Sequence, residues 1–127
     1  MKYTLTKKDE YMYILMISNR LQERYAIFEE KDALIRERTS LTRSLTECFA
    51  DRFLNIDIEE MRFIDLMDDT EKDLFMDLEI GHTYAEFVQF GVVDAFRRIV
   101  RRNSLPYEFP ELDKKDPMKG WNEECKD

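Results

Sequence analysis

The side chains best suited to chemistry in this sequence are carboxylates that recur at helical spacing. Asp69, Asp73 and Asp77 follow one another at intervals of four, which places them on one face of a predicted helix. Neighbouring carboxylates of this kind can hold Mg²⁺ against a phosphate group of a substrate. Glu79 and His82 follow at an interval of three, the Glu-x-x-His step with which helices bind iron. Both patterns indicate a divalent-metal site as one hypothesis.

Neither metal pattern is complete in this chain. In outline the chain resembles the helical nucleotide pyrophosphohydrolases, but their paired E-x-x-E and E-x-x-D motifs are not both present on its predicted helices. A di-iron site needs a second Glu-x-x-His step, and His82 is the only histidine. With three glycines, the chain has no phosphate-binding glycine loop, and it contains neither an HExxH nor a G-x-S-x-G motif. We therefore predict a protein without enzymatic activity, cofactor or bound metal, and keep a divalent-metal-binding helical enzyme as the alternative.

The negative charge of the chain is concentrated in one block, residues 57–79. This block holds ten carboxylates against two basic side chains, a net charge of −8, which equals the net charge of the whole chain. About half of these acids lie where helix N-termini favour negative charge, so a purely solvated face is one interpretation. Among them, Asp68 and Glu71 form a capping-box pattern that predicts a helix start near Asp69. The other interpretation is a binding surface for a partner. The predicted partner-binding carboxylates are Glu59, Asp65, Asp69, Asp73, Asp77 and Glu79.

An acidic surface selects basic partners and repels nucleic acid and anionic membranes. We accordingly predict a regulatory or interaction protein that binds a basic protein surface and makes no direct contact with nucleic acid or membrane. A narrower form of this hypothesis is an inhibitor whose carboxylates mimic nucleic-acid phosphates. In size and charge the chain resembles small acidic inhibitors that phages and mobile elements make against defence nucleases.

Basic side chains gather in a second place, near the end of the last predicted helix. Arg97, Arg98, Arg101 and Arg102 lie in its final turns, where cations complement the negative end of the helix dipole. No interleaved aromatic residues accompany them, which argues against single-strand nucleic-acid binding. We expect these arginines to pair with acids of the 57–79 block, in the same chain or across subunits.

The elements that must position these residues are predicted to be helices. Few glycines and prolines, with 43% hydrophobic and 38% charged residues, indicate one all-α helical bundle. The predicted helices are a long one over 7–37, short ones over 40–54 and 58–67, and a second long one over 69–103. We predict a break near residue 38 between the first two, with one continuous helix as the alternative. In the first, a heptad row is interrupted by Ser18. In the last, an unbroken heptad row predicts a seam for another helix, within the chain or across a homodimer; this row is Leu74, Leu78, Gly81, Ala85, Val88, Val92, Ala95 and Ile99.

The C-terminal part of the chain differs in character from the rest. Prolines at 106, 110 and 117 favour an extended path. We predict a bundle domain over 1–104 and an extended tail over 105–127, which docks on its own bundle or on a partner. Tyr107, Phe109 and Trp121 are the predicted partner-binding anchors of this tail.

The expected compartment is the cytoplasm. Cys48 and Cys125 lie far apart without a CxxC pairing, which is typical of reduced thiols. The most apolar run of the chain, residues 11–17, is too short to span a bilayer, and we expect no secretory signal.

Overall fold

The fold is an all-α helical bundle, as predicted. The computed structural model describes residues 3–25, 36–37, 40–41, 43–44, 47, 58–79 and 81–121. Its helices are α1 (Lys7–Tyr25), α2 (Glu60–Asp65), α3 (Asp69–Met76), α4 (Tyr84–Gln89) and α5 (Val92–Arg102). Two short strands, β1 (Tyr3–Thr4) and β2 (Tyr107–Glu108), pair in parallel. The described positions between 36 and 47 are helical. The predicted break near residue 38, most of the helix over 40–54 and both cysteines lie outside the described residues.

Helix α1 lies at the centre of the bundle and contacts each of the other four described helices. It begins after Thr6, whose hydroxyl accepts the N–H of Asp9 at 3.1 Å, while the carboxylate of Asp9 accepts the N–H of Thr6 at 2.8 Å. This reciprocal capping satisfies N–H groups that the first helical turn leaves without partners. The predicted start at residue 7 is therefore confirmed.

The polar interruption of the heptad row on α1 has a structural reason. Ser18 is fully buried, and its hydroxyl donates to the carbonyl of Phe75 at 2.8 Å. One turn later, the amide of Gln22 donates to the carbonyls of Met76 and Leu78 at 3.3 and 3.2 Å. The last carbonyls of a helix lack partners within the helix. These two side chains therefore close the end of α3 and fix α1 against it.

The predicted continuous helix over 69–103 is wrong. The chain instead forms α3, α4 and α5, with Gly81 and Gly91 between them in the left-handed region at φ +89° and +82°. Thr83 ends the first gap by capping α4 through a reciprocal pair of hydrogen bonds with Glu86. Because of these breaks, the residues of the heptad row lie on separate helices and in the turns between them. Five of them are nevertheless buried in the same core: Leu78, Val88, Val92, Ala95 and Ile99. Because those five residues pack inside their own chain, the seam is not a single exposed interface, and the homodimer stays a prediction.

The starts predicted at 58 and 69 lie within two residues of the observed starts, Glu60 and Asp69. Helix α2 lies inside the predicted range of 58–67, although its N-cap is Glu59 and makes no side-chain capping bond. Helix α3 begins with the predicted capping box, in which Asp68 and Glu71 exchange hydrogen bonds at 2.8 and 2.9 Å.

An aromatic cluster joins α1, α2 and α5 in the core. The rings of Tyr13, Phe63 and Phe96 lie 5.2–5.8 Å apart, and all three are almost fully buried. The hydroxyl of Tyr13 donates to the carbonyl of Ile58, so the polar end of this ring also has a partner. Fully buried aromatic rings of this size dominate the energetics of a small core.

The segment from Leu105 to Trp121 packs on the bundle of its own chain. Strand β2 lies beside β1 with Tyr3 opposite Tyr107, and the N–H of Tyr3 donates to the carbonyl of Pro106 at 2.7 Å. Further along, the ring of Trp121 contacts those of Tyr11 and Tyr84 at 5.5 and 5.8 Å. Among the described helices, none is both long enough and apolar enough to cross a membrane.

Candidate functional site: an acidic face beside two buried carboxylates

The six predicted partner-binding carboxylates lie along α2, α3 and the turns that flank them. We call this set the acidic face. All six of its side chains are exposed. Asp69 is the first residue of α3, Asp73 lies in its last turn and Asp77 is its C-cap. Glu59 is the N-cap of α2, Asp65 is the last residue of α2, and Glu79 follows α3. The acidic face comprises Glu59, Asp65, Asp69, Asp73, Asp77 and Glu79.

Among the described residues, very little positive charge reaches the acidic face. Asp65 accepts from Arg24 at 3.4 Å, and the two side chains are 68% and 42% exposed. A pair this exposed is screened by water and contributes about 0–1 kcal/mol. Within the described part of the chain it is the only ion pair of the acidic face. The acidic face therefore presents its charge to solvent.

The arginines of α5 pair with a different acid of the same block. Arg98 and Arg102 both reach Glu71, at 3.4 and 2.7 Å, and Arg102 also donates to the carbonyl of Leu66 at 2.8 Å. Glu71 is only 1% exposed, and its hydrogen bonds to Arg102 hold the pKa of its carboxyl below the usual range despite burial. The expected pairing between these arginines and the 57–79 block is thus confirmed for Glu71. It joins α5 to α3 and leaves the acidic face untouched.

A second buried carboxylate, Glu10 of α1, was missed by sequence reasoning. Arg97 binds it with two parallel hydrogen bonds, from Nε to Oε2 at 2.9 Å and from a terminal nitrogen to Oε1 at 2.7 Å. The hydroxyl of Tyr84 donates to the same Oε1 at 3.1 Å. The side chains of Glu10 and Arg97 are 0% and 8% exposed. We call Glu10, Arg97 and Tyr84 the buried triad.

Electrostatics within the buried triad favour the charged pair and the neutral phenol. Burial, reinforced by the negative charge of Glu10, raises the pKa of Tyr84 far above its usual range. Burial alone lowers the pKa of Arg97, but the hydrogen bonds and charge of Glu10 outweigh burial and raise it. The ring of Phe109 covers the guanidinium at 4.9 Å. Enclosed in this way, the triad cannot meet a substrate and acts as a structural tie between α1, α4 and α5.

Sequence reasoning could have found Glu10 from its position on α1. It precedes Ile14, Ile17 and Leu21 at intervals of four, seven and eleven, and all four residues are 0% exposed. Those intervals define one face of a helix. An acid on a buried stripe requires a basic partner, because an isolated buried charge is strongly unfavourable.

The metal patterns do not assemble in the described structure. Among the described residues, no three His, Cys, Asp or Glu side chains lie close enough to hold a metal ion. The Glu-x-x-His hypothesis requires a helix, but Glu79 and His82 lie in a turn between α3 and α4. There the Nδ1 atom of His82 accepts the N–H of Glu79 at 3.0 Å, and its ring contacts Phe90. His82 therefore closes the turn.

The three aromatic anchors of the tail all contact their own chain. Tyr107 is only 5% exposed and packs beside Tyr3, while Phe109 and Trp121 are partly buried. Phe109 lies against Phe96 and the guanidinium of Arg97. In this conformation the Tyr107 ring is not accessible to a partner, because β2 pairing places it inside the core.

Comparison of the chain with protein-family models, curated proteins and solved structures gives no match. The site is therefore interpreted from its own geometry. That geometry combines an exposed, largely unpaired acidic face with buried carboxylates that bind the arginines.

Proposed function

We propose that this chain is a non-catalytic binding protein whose acidic face docks on a basic surface of a protein partner. The observation that carries the proposal is the distribution of arginines. Three of the four on α5 bind Glu10 or Glu71, and the fourth, Arg101, lies near the ring of Phe109. None of them reaches the acidic face, so its charge remains available to a partner.

The arrangement of the face supports electrostatic recognition. Asp69 and Asp73 lie one turn apart on α3, with Asp77 at the C-cap another turn on, which corresponds to a carboxylate every ~6 Å along a rigid helix. The only basic residues in the same block are Arg62 and Lys72. Clustered charge of one sign accelerates association with a surface of opposite sign and penalises partners of like sign. The expected partner is therefore a protein with a concentrated lysine or arginine surface.

The proposal is tested by removing charge locally without changing shape. The face variant Asp69→Asn/Asp73→Asn/Asp77→Asn removes three negative charges from one side of the molecule. A control variant, Glu23→Gln/Glu108→Gln/Asp116→Asn, removes the same charge from three exposed acids outside the face. Both variants and the wild type serve as baits in extracts of the native host, at low salt and at about 0.5 M NaCl, where charges are screened within a few ångströms.

Proteins retained by the wild type and the control, but lost from the face variant, support the proposal. Binding of such a purified partner should weaken steeply as salt concentration rises. Equal retention by all three baits, or binding that salt leaves unchanged, would overturn the electrostatic mechanism.

A narrower form of the proposal is that the face imitates nucleic-acid phosphates. In that case the basic surface of the partner is its own nucleic-acid-binding groove, and the chain acts as an inhibitor. Competition decides this: duplex DNA or RNA that the partner binds should displace the chain in proportion to its concentration. If the partner holds nucleic acid and the chain at once, mimicry is excluded, while binding through the face is retained.

A further inference from the structure

A lysine-lined cleft of about 750 Å³ lies between the start of α1 and the tail segment 110–119. It shares no residue with the acidic face. Four lysines and two acids line it, which gives a local net charge of +2 in a chain whose total is −8. The charged residues of the cleft are Lys7, Glu111, Asp113, Lys114, Lys115 and Lys119.

Lys7 is the unusual member of this group because its ammonium is buried. The residue is 5% exposed, and its Nζ donates to the carbonyl of Lys119 at 2.6 Å. Among the described residues, no carboxylate lies within ion-pair distance of Lys7. An ammonium offers three donors, and burying a charge without a counter-charge is unfavourable. An opposite charge in the cleft, that of Asp113, acts on Lys7 from beyond ion-pair distance. An anion bound in the cleft would add a counter-charge in direct contact.

The turn after Asp113 shapes the exposed side of the cleft. The Asp113 carboxylate accepts the N–H groups of Lys115 and Asp116 at 2.9 and 3.1 Å. These backbone bonds, with smaller effects from the charges of Lys119 and Lys7, lower the pKa of Asp113. The turn therefore fixes the Asp113 carboxylate, whose negative charge is already included in the local net charge of +2. The lysines at 114, 115 and 119 are exposed. Among the described residues their one ion pair, Lys114 with Asp94 at 3.5 Å, is weak at that exposure.

We propose that this cleft binds a multiply charged oxyanion of the phosphate class. Lys7 contacts the anion from the buried side, and Lys115 and Lys119 contact it from the rim. The volume falls within the range of small-molecule sites, roughly 300–1,000 Å³, so the anion can belong to a phosphorylated small molecule. This would make the chain responsive to a ligand at a site separate from the acidic face.

The test uses pyrophosphate as the probe, titrated into the full chain at constant ionic strength and followed by calorimetry and by amide NMR. The variant Lys115→Gln/Lys119→Gln alters two exposed side chains and should fold normally. We expect it to bind about tenfold more weakly or worse, since it loses two charge-assisted contacts. The control Lys72→Gln, which changes the charge of α3 outside the cleft, should bind as the wild type does. Shifted amides should cluster at residue 7 and at 110–119.

A second variant, Lys7→Met, removes the buried ammonium and should abolish the rise in melting temperature that pyrophosphate produces. ADP titrated in parallel separates two sources of the anion: tighter binding than pyrophosphate indicates an organic phosphate, and equal binding indicates the inorganic anion. No binding of pyrophosphate up to about 10 mM, or equal affinity of wild type and the Lys115/Lys119 variant, would overturn the proposal.

Discussion

Replacing Arg97 by methionine tests whether the buried triad holds the bundle together. Methionine keeps much of the length of the side chain but cannot donate a hydrogen bond. Within the triad, Tyr84 is then the one residue that still donates to Glu10. Glu10 is 0% exposed, so water cannot replace the two lost hydrogen bonds of 2.7 and 2.9 Å. Breaking a buried ion pair in this way costs about 3–5 kcal/mol, out of a typical total stability of about 5–15 kcal/mol. We expect a loss at the upper part of that range because both bonds go to the same enclosed carboxylate.

The assay is urea denaturation followed by tryptophan fluorescence, with far-UV circular dichroism as a second probe. Trp121 is the single tryptophan and packs on the ring of Tyr84, so its emission reports on the neighbourhood of the triad. Arg101→Met is the matched control: it removes the same group from an exposed position on the same helix. Away from special contacts, surface substitutions of this kind usually change the free energy of unfolding by no more than about 0.5 kcal/mol.

A double-mutant cycle separates the ion pair from simple loss of packing. Glu10→Met alone leaves Arg97 buried without its counter-charge and should be as damaging as Arg97→Met. The double variant removes both charges, and such apolar replacements are often neutral or stabilising by about 1–4 kcal/mol. If the double variant loses the sum of the two single losses, the residues are not coupled. If Arg97→Met lowers the free energy of unfolding no more than Arg101→Met does, the buried triad does not hold the bundle together.

Three further predictions concern single residues, and each is measured as the free energy of unfolding in urea. Glu71→Gln should cost roughly 1.5–3 kcal/mol at neutral pH, as expected for bonds to a charged group. Because folding lowers the pKa of Glu71, its contribution is complete above the ordinary value of 4.5 and is lost as pH falls through the folded pKa, so wild type and variant should converge in acid. Gly91→Ala should cost about 1–2 kcal/mol, because φ is +82° and the added methyl group meets no atom within 4 Å outside the adjoining backbone, which leaves backbone strain as the cause. An unchanged stability would contradict that backbone conformation. Thr83→Ala should cost about 1 kcal/mol through loss of the cap on α4, and no loss would mean that the Glu86 bond alone suffices.

Local signals in the sequence located helix starts more reliably than helix lengths. The start at Asp69 was predicted from the Asp68 and Glu71 capping pattern, and it is observed; the start predicted at Lys7 is observed as well. The predicted length of 69–103 failed because heptad spacing reports which residues are buried, not whether one straight helix buries them. Gly81 and Gly91 redirect the chain with positive φ, and the row still reaches a common core from α4 and α5.

For the charged residues too, local features could be predicted from the sequence, whereas contacts between distant elements could not. The exposure of the acidic face was a local expectation, since one turn of helix separates its members on α3. The triad was out of reach because Glu10 and Arg97 are 87 positions apart, and only the tertiary fold brings them together. For Glu71, the sequence predicted its role in the capping box but not its second role, which is to receive two arginines from α5.

Two acids of the acidic face lie where the α3 helix gains no stability from their charge. Asp73 lies in the last turn of α3 and Asp77 at its C-cap, where the helix dipole disfavours negative charge, and the last turn has no basic residue. Like charges one turn apart also repel, by about 0.2–0.5 kcal/mol per pair. Neutralising these two residues should therefore leave stability unchanged or slightly higher, whereas neutralising Glu10 or Glu71 should destabilise the bundle. The stability of the fold therefore does not account for the charge of these two acids, which agrees with the proposed binding role of the acidic face.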